Sequence, residues 1–220
     1  MTRKYEGKYF SLLGDSISTL AGYNPPECAV FYDWQRKRQA GIQGPEDTWW
    51  GIVLEALGGK LLVNHSWSGS LVTKQAQCEV ESYGCSDSRT AALGTEGQQP
   101  DAIMVFMGLN DFGWGIGPET FSKNYETMLR KLRQNYPQAE IWSMTLPASR
   151  WSQQPDFQAP MCRAGWHMAD YNRAIVACAE KQSCRLVDLF RPEKPYDTID
   201  GYHPNAQGMR TLARAVLEQL

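Results

Sequence analysis

The chain has 220 residues, enough for one domain or at most two small ones, and its 22 basic and 24 acidic residues nearly cancel. A net charge of −2 gives no electrostatic basis for binding nucleic acid or an anionic membrane. With 42% hydrophobic and 21% charged residues, the composition is that of an ordinary globular protein that needs no disulfide or metal to hold a core. We therefore expect a single domain over residues 1–220.

The first residues, MTRKYEGKYF, lack the apolar segment of a signal peptide, and no run approaches the ~18 apolar residues of a membrane span. We expect a cytoplasmic protein without a membrane partner. The six cysteines are Cys28, Cys78, Cys85, Cys162, Cys178 and Cys184. In a reducing compartment buried thiols are expected, with a Cys78–Cys85 or Cys178–Cys184 bridge left open as the alternative. The spacings fit no zinc template, so no metal site is predicted.

Five short apolar runs predict β-strands. They cover residues 8–14, 60–64, 101–108, 139–145 and 184–189. Their nearly continuous apolar character is typical of strands covered on both faces, as in a parallel sheet.

Helical patterns alternate with these strands. They cover residues 46–59, 118–136, 164–181 and the last segment, where Met209, Leu212, Ala213, Val216, Leu217 and Leu220 fall on one helical face. Strands that alternate with helices predict an α/β fold, a three-layer α/β/α sandwich around a five-stranded parallel sheet. Three long connections, at 20–45, 71–99 and 147–163, exceed the usual loop length and are expected to serve the function or to hold small elements of their own.

Polar, glycine-rich clusters follow four of the five predicted strands. They are GDS at 14–16, NHSWSGS at 64–70, GLND at 108–111 and, after a loop, DGYHPN at 200–205. The carboxyl ends of parallel strands lie at one edge of a sheet, and open α/β sheets bind their ligands there. The sequence therefore predicts a site at this edge.

Serine catalysis needs a base, and the chain offers only three histidines. His65 directly follows the second strand, and His167 falls inside a predicted helix, beside Trp166. His203 has Asp200 three residues earlier, so one ring nitrogen can meet the carboxylate while the other faces a substrate. Taken alone, each cluster is ordinary turn chemistry, and Asn205 could simply cap the last helix. Their joint occurrence at one sheet edge favours a catalytic site.

The four clusters resemble the four signature blocks of the GDSL/SGNH hydrolase family of serine esterases and acylhydrolases. The resemblance runs from residue 8 to the last helix and implies a flavodoxin-like sandwich and a cofactor-independent ester hydrolase. Ile17 stands where the family name has Leu, a change that should not affect the chemistry. Ser66 stands where the second block often has Gly, whereas Gly69 fits the position of the oxyanion donor in that block.

The resemblance also implies a role for each matched residue. Ser16 would be the nucleophile, His203 the general base and then acid, and Asp200 the group that orients the imidazole. The backbone N–H groups of Ser16 and Gly69, with the side-chain amide of Asn110, would form the oxyanion hole.

The residues of the long loops are the part of the sequence that can indicate the substrate, and they include unusually many aromatic side chains. Asp15, beside Ser16, and the aromatic residues Trp67, Trp114 and Trp151 are candidates for substrate contact, since aromatic faces stack on sugars or line an acyl slot. The alternative is that most of these rings pack the loops onto the domain. No apolar lid helix is evident, which disfavours a long-chain lipase.

We expect a small-acyl esterase, acting through an acyl-enzyme on an acetylated carbohydrate or another small ester. The alternatives are an acyl-thioesterase or lysophospholipase of the same family, or a non-catalytic binding module on this fold. A nucleotide-cofactor protein lacks support, because GWGIG at 113–117 is not the G-x-G-x-x-G fingerprint. The sequence does not indicate an oligomeric state.

Overall fold

The structure is a computed structural model that describes residues 4–75, 81–151, 164–191 and 194–220. Seven strands occur in these ranges. They are β1 Tyr9–Gly14, β2 Lys60–Asn64, β3 Ala102–Phe106, β4 Glu140–Met144, β5 Ser149–Trp151, β6 Arg185–Val187 and β7 Tyr196–Thr198.

The main sheet has five strands in the order β2-β1-β3-β4-β6, and every pair is parallel. This confirms the predicted five-stranded parallel sheet, with each strand at its expected place in the sequence. A second sheet pairs the three-residue strands β5 and β7 in parallel. The sequence did not predict it, because segments so short carry no detectable periodicity.

Seven α-helices occur in the described ranges. They are α1 Arg36–Gln39, α2 Trp49–Leu57, α3 Asp87–Ala91, α4 Leu109–Trp114, α5 Pro118–Asn135, α6 Met168–Lys181 and α7 Ala206–Leu217. Three of these, α1, α3 and α4, lie where the sequence indicated only loops, and each has six residues or fewer.

Two predicted helix starts are wrong, each by three or four residues. Helix α2 begins at Trp49 because Thr48 is extended and its hydroxyl accepts the N–H of Gly51, while residues 45–47 form a separate 3₁₀ turn. Helix α6 begins at Met168 because His167 is extended at the N-cap, where its N–H donates to the Asp170 carboxylate. His167 is therefore at the end of the helix rather than inside it.

The core divides into two clusters, one on each face of the main sheet. Helices α2 and α7 cover one face with side chains such as Trp49, Val53 and Leu212. Helices α5 and α6 cover the other face with side chains such as Tyr125 and Ile175. Neighbouring strand residues alternate between the two clusters, as the pleat requires, so the three layers are as predicted.

The described cysteines are free thiols: Cys28, Cys85 and Cys178 are buried and Cys184 is half-buried. The alternative Cys178–Cys184 bridge is therefore not formed. Cys78 and Cys162 lie outside the described residues. None of the described helices combines the length and the apolar character that crossing a membrane requires.

Candidate active site

Ser16 lies in a tight turn at the carboxyl end of β1, which we call the Ser16 turn (residues 14–18). The Asp15 carboxylate accepts the N–H of Ile17 at 3.1 Å and caps the 3₁₀ turn that starts at Ser16. A Cβ on Gly14 would lie 2.6 Å from the Ser66 hydroxyl, so this corner admits only glycine. The turn thus holds Ser16 at the edge of the sheet where a ligand is expected.

A second loop, the His203 loop (residues 199–204), follows β7. The N–H of Ile199 donates to the His203 carbonyl at 2.9 Å, and the N–H of Gly201 donates to the Thr198 hydroxyl at 2.9 Å. The Asp200 carboxylate accepts the N–H groups of Tyr202 and His203 at 3.0 and 2.8 Å. These bonds between residues close in sequence fix the conformation of the His203 loop, which contacts the Ser16 turn.

The structure brings the three side chains of the predicted triad into one hydrogen-bonded chain. The Oγ of Ser16 lies 2.9 Å from Nε2 of His203, and Nδ1 of His203 lies 2.6 Å from Oδ2 of Asp200. A carboxylate accepts hydrogen bonds, so it favours the tautomer with the proton on Nδ1. The lone pair of Nε2 then faces the Ser16 hydroxyl, the arrangement in which an imidazole can take its proton.

Asp200 is ionised at neutral pH. Partial burial raises the pKa of this carboxyl, but the hydrogen bonds from the side chain and backbone of His203 outweigh it and bring the pKa below its ordinary value of 3.8. The carboxylate is therefore available to stabilise a charged imidazole.

Phe31 lies flat against the His203 ring, a contact that the sequence did not predict. The two ring centroids are 3.4 Å apart and the planes differ by 9°. The N–H of Phe31 donates to the Thr19 hydroxyl at 3.0 Å, and the Tyr32 hydroxyl donates to the Pro204 carbonyl at 2.6 Å. The long connection 20–45 thus joins the two loops of the site, and only its aromatic content signalled such a role.

The predicted oxyanion-hole residues lie on neighbouring strand ends. Gly69 has a left-handed φ of +77°, which favours glycine, within a turn (the Gly69 turn, residues 67–70) closed by the Ser70 N–H on the Trp67 carbonyl at 3.1 Å. Asn110, in α4, donates one amide hydrogen to the Ser70 carbonyl at 2.9 Å, which leaves the second for a ligand. Within the described ranges, the N–H groups of Ser16 and Gly69 make no intramolecular hydrogen bond.

A cavity of about 330 Å³ opens beside the Ser16 hydroxyl. Its lining residues are Asp15, Ser16, Ile17, Leu109, Asn110, Gly113, Trp114, Tyr202 and His203. The side chains of Trp114 and Tyr202 are 72% and 48% exposed and give this open cavity its aromatic walls. Tyr202 was missed by the sequence reasoning, because the direction of a side chain within a glycine-containing loop has no sequence signature.

The other three residues predicted to contact the substrate are Asp15, Trp67 and Trp151, of which Asp15 is among the residues that line the cavity. Asp15 lines the cavity, but its carboxylate is buried and caps the Ser16 turn. Trp67 is half-buried and does not line the cavity; its N–H donates to the Gly14 carbonyl at 3.1 Å. Trp151 ends β5, and its side chain lies outside what the structure describes. In the described part of the chain, no group of three or more acidic, histidine or cysteine side chains could hold a metal ion.

The sequence model of the GDSL-like lipase/acylhydrolase family matches residues 12–211. The chain belongs to this family. As a GDSL-like hydrolase it is an ester-hydrolysing enzyme. A comparison with curated proteins finds no match.

Solved structures share the fold of this GDSL-like hydrolase. A protein described as a GDSL-like lipase from Bacteroides ovatus is 21% identical, with a TM-score of 0.73 and 97% of each chain covered. An aryl esterase from M. smegmatis is 18% identical, with a TM-score of 0.66, and 97% of this chain and 98% of that chain are covered. A carbohydrate acetylesterase family member from Sinorhizobium meliloti is 19% identical, with a TM-score of 0.64 and 94% of each chain covered.

Proposed function

We propose that this GDSL-like hydrolase cleaves small-acyl esters, above all acetyl esters of a carbohydrate, through an acyl-enzyme on Ser16. The observation that carries the proposal is the continuous hydrogen-bonded chain from the Ser16 hydroxyl through His203 to Asp200, at 2.9 and 2.6 Å. Ser16 and His203, at one end of this hydrogen-bonded chain, line the cavity rather than lying in the core. A hydroxyl, a base and an orienting carboxylate in this order are what serine catalysis requires.

In the acylation step, the Oγ of Ser16 attacks the ester carbonyl carbon while Nε2 of His203 takes the hydroxyl proton. The imidazolium that forms keeps its Nδ1–H on Asp200, whose negative charge stabilises it. When the tetrahedral intermediate collapses, the same Nε2–H protonates the departing alkoxide oxygen. Ser16 is left as an ester and the alcohol is released.

The negative charge on the carbonyl oxygen develops during this attack and needs preorganised donors. The N–H groups of Ser16 and Gly69, which make no bond within the described protein, and the second amide hydrogen of Asn110 supply three. In the deacylation step, water takes the place of the alcohol. His203 removes its proton, and the same donors stabilise the second tetrahedral intermediate until the acid and Ser16 are released.

The cavity supports the choice of substrate. A volume of about 330 Å³ is at the lower end of ligand pockets, and part of it must hold the alcohol half of the ester, so a short acyl group fits best. The exposed faces of Trp114 and Tyr202 are suited to stacking on a sugar ring, which presents apolar C–H groups on its faces and hydroxyls at its rim.

The test is hydrolysis of p-nitrophenyl esters of increasing acyl length, followed by acetylated sugars and acyl thioesters. We expect the highest kcat/KM with the acetyl ester and release of acetate from at least one acetylated sugar. Ser16→Ala and His203→Ala should abolish this activity. Ser88→Ala and His167→Ala are matched controls on exposed residues of α3 and at the start of α6, and should leave it unchanged.

Activity that is unchanged in both Ser16→Ala and His203→Ala would contradict the triad. A preference for long acyl chains or for thioesters over acetyl esters would contradict the substrate class and favour the lysophospholipase or thioesterase alternative.

A further inference from the structure

A buried arginine lies beneath the site and outside the proposed triad. Arg89, in the short helix α3, has 1% of its side chain exposed. Its Nε donates to Nδ1 of His65 at 3.3 Å, and its Nη2 donates to the carbonyls of Gly14, at 3.0 Å, and His65. Its Nη1 donates to the Ser70 hydroxyl and to the Ser82 carbonyl at 2.7 Å. All five donor positions of the guanidinium are thus used.

The acceptors of Arg89 are all neutral, which is unusual for a buried charge. Among the described residues, no carboxylate lies within ion-pair distance of the guanidinium. Burial lowers the pKa of Arg89 to about 10, which still leaves the group charged at neutral pH. The more distant charge of Asp15 favours the cation, but desolvation outweighs it, so this side chain is a poor choice if its only task is to stabilise the fold.

Two of the five bonds of Arg89 reach the two segments that are proposed to present the backbone oxyanion donors. Gly14 begins the Ser16 turn, and its carbonyl accepts both Nη2 of Arg89 and the N–H of Trp67. Ser70 ends the Gly69 turn and is held from both sides, its hydroxyl by Arg89 and its carbonyl by Asn110.

We propose that Arg89 is a positioning residue for the oxyanion hole: its guanidinium fixes the Ser16 turn and the Gly69 turn relative to each other, so that the two backbone N–H groups converge on one oxygen. The inference rests on the proposed function. It adds a residue from α3 whose task is to hold these donors in place while it does not itself touch the substrate.

The test compares Arg89→Met, which removes the charge and the five donors, with Arg89→Lys, which keeps the charge but cannot reach all five acceptors. Kcat is expressed per active serine, counted by endpoint labelling with a fluorophosphonate, so that a loss of folded protein does not count as a loss of rate. We expect kcat to fall about 100-fold in Arg89→Met, the low end of the cost of losing one oxyanion donor, with KM changed less than about threefold. Arg89→Lys should fall between this variant and the wild type.

Arg133→Met is the matched control. Arg133 also donates to backbone carbonyls, those of Ala139, Gln182 and Ser183, but at the opposite edge of the sheet. Its kcat per active serine should equal that of the wild type. If Arg89→Met does not fold, Ser70→Ala removes the contact between Arg89 and the Gly69 turn, together with the bonds that the Ser70 hydroxyl donates to the carbonyls of Ser82 and Leu71. We expect a loss in kcat of about 10-fold there, again at nearly constant KM.

Unchanged kcat per active serine in Arg89→Lys and Ser70→Ala would overturn the inference. A rise in KM at constant kcat in both variants would also overturn the inference, because such a change does not reflect a loss of transition-state stabilisation. Failure of the proposed function is distinguishable, because it appears as activity in Ser16→Ala, whatever the Arg89 variants do.

Discussion

The two halves of the candidate site are held in different ways. The sheet-edge half, with Ser16, Gly69 and Asn110, is fixed by buried hydrogen bonds between segments far apart in sequence. The loop half, with Asp200 and His203, is fixed mainly by bonds within a few residues, on a separate two-stranded sheet. The half proposed to stabilise the oxyanion is tied into the buried part of the fold, whereas the half proposed to move protons is a compact loop packed against it.

The largest losses in kcat are expected for substitutions of Ser16 and His203, where the two halves of the site meet. Ser16→Ala and His203→Ala should each lower kcat by about 10⁴–10⁶, because each removes one end of the Ser16–His203 hydrogen bond. The double variant should be no worse than the more damaging single one, since the two side chains act as a unit. Additive losses, measured as kcat for p-nitrophenyl acetate, would contradict this coupling.

Within the sheet-edge half, Asn110→Ala should lower kcat by about 10²–10³ at nearly unchanged KM. It removes a donor that is proposed to act on the developing oxyanion, and it leaves the Ser70 carbonyl without this hydrogen bond. Asn135→Ala is the matched control, because the Asn135 amide also caps a backbone carbonyl, that of Thr90, away from the cavity. A loss confined to KM in Asn110→Ala would argue against the oxyanion role.

Within the loop half, Phe31→Ala should have a smaller effect, a fall in kcat of roughly 10-fold, because the hydrogen bond to Asp200 still orients His203. Phe31→Tyr keeps the stacked ring and should retain most of the rate. Trp34→Ala, at an exposed aromatic of the same connection, is the control. Equal rates in wild type and Phe31→Ala would show that the stack does not position the ring.

The same contrast explains what the sequence could predict. The apolar runs and the helical patterns between them were enough to anticipate the five-stranded sheet. Polar clusters follow four of the five predicted strands, and this placement was enough to predict that Ser16, Asn110 and His203 lie at one edge. Sequence-local signals also placed Asp200 beside His203, since both lie in one loop.

Phe31, Tyr202 and Arg89 could not be found in this way, for physical reasons. The contact of Phe31 with His203 depends on the path of a long connection, and the bonds of Arg89 join four segments brought together only by the fold. A lone arginine in a polar stretch has the pattern of a solvated surface residue. The helix starts at Trp49 and Met168 were missed because an extended N-cap residue decides them.

The smallest effect on activity is expected for a substitution of Asp111, because we expect this residue to affect the free energy of unfolding instead. Its buried carboxylate accepts the N–H groups of Val72 and Thr73 just after the Gly69 turn, at 2.7 and 3.1 Å. Burial raises its pKa to about 6 from an ordinary value of 3.8, despite the opposing effect of these bonds. Burial likewise raises the pKa of Asp15 to about 6.

Between about pH 4 and pH 6 the folded chain therefore binds more protons at these two carboxyls than the unfolded chain does. These two groups should therefore lower the free energy of unfolding as the pH rises through this window, each by up to about 1.4 kcal/mol per pH unit. Urea unfolding at pH 4.5, 5.5 and 6.5 measures the slope. Asp111→Asn should flatten it, whereas Asp33→Asn should leave it unchanged, because the lowered pKa of Asp33 confines its contribution to lower pH. A slope that is the same in wild type and Asp111→Asn would contradict this account.

The central claim is that Ser16 is the nucleophile which His203 activates. Intact-protein and peptide mass spectrometry after reaction with a fluorophosphonate tests it most directly, since a phosphonyl group stays on the oxygen that attacks. We expect one group per chain, on the peptide that contains Ser16, with no addition in Ser16→Ala and strongly slowed addition in His203→Ala. A label on another residue, or labelling of His203→Ala at the wild-type rate, would contradict the mechanism.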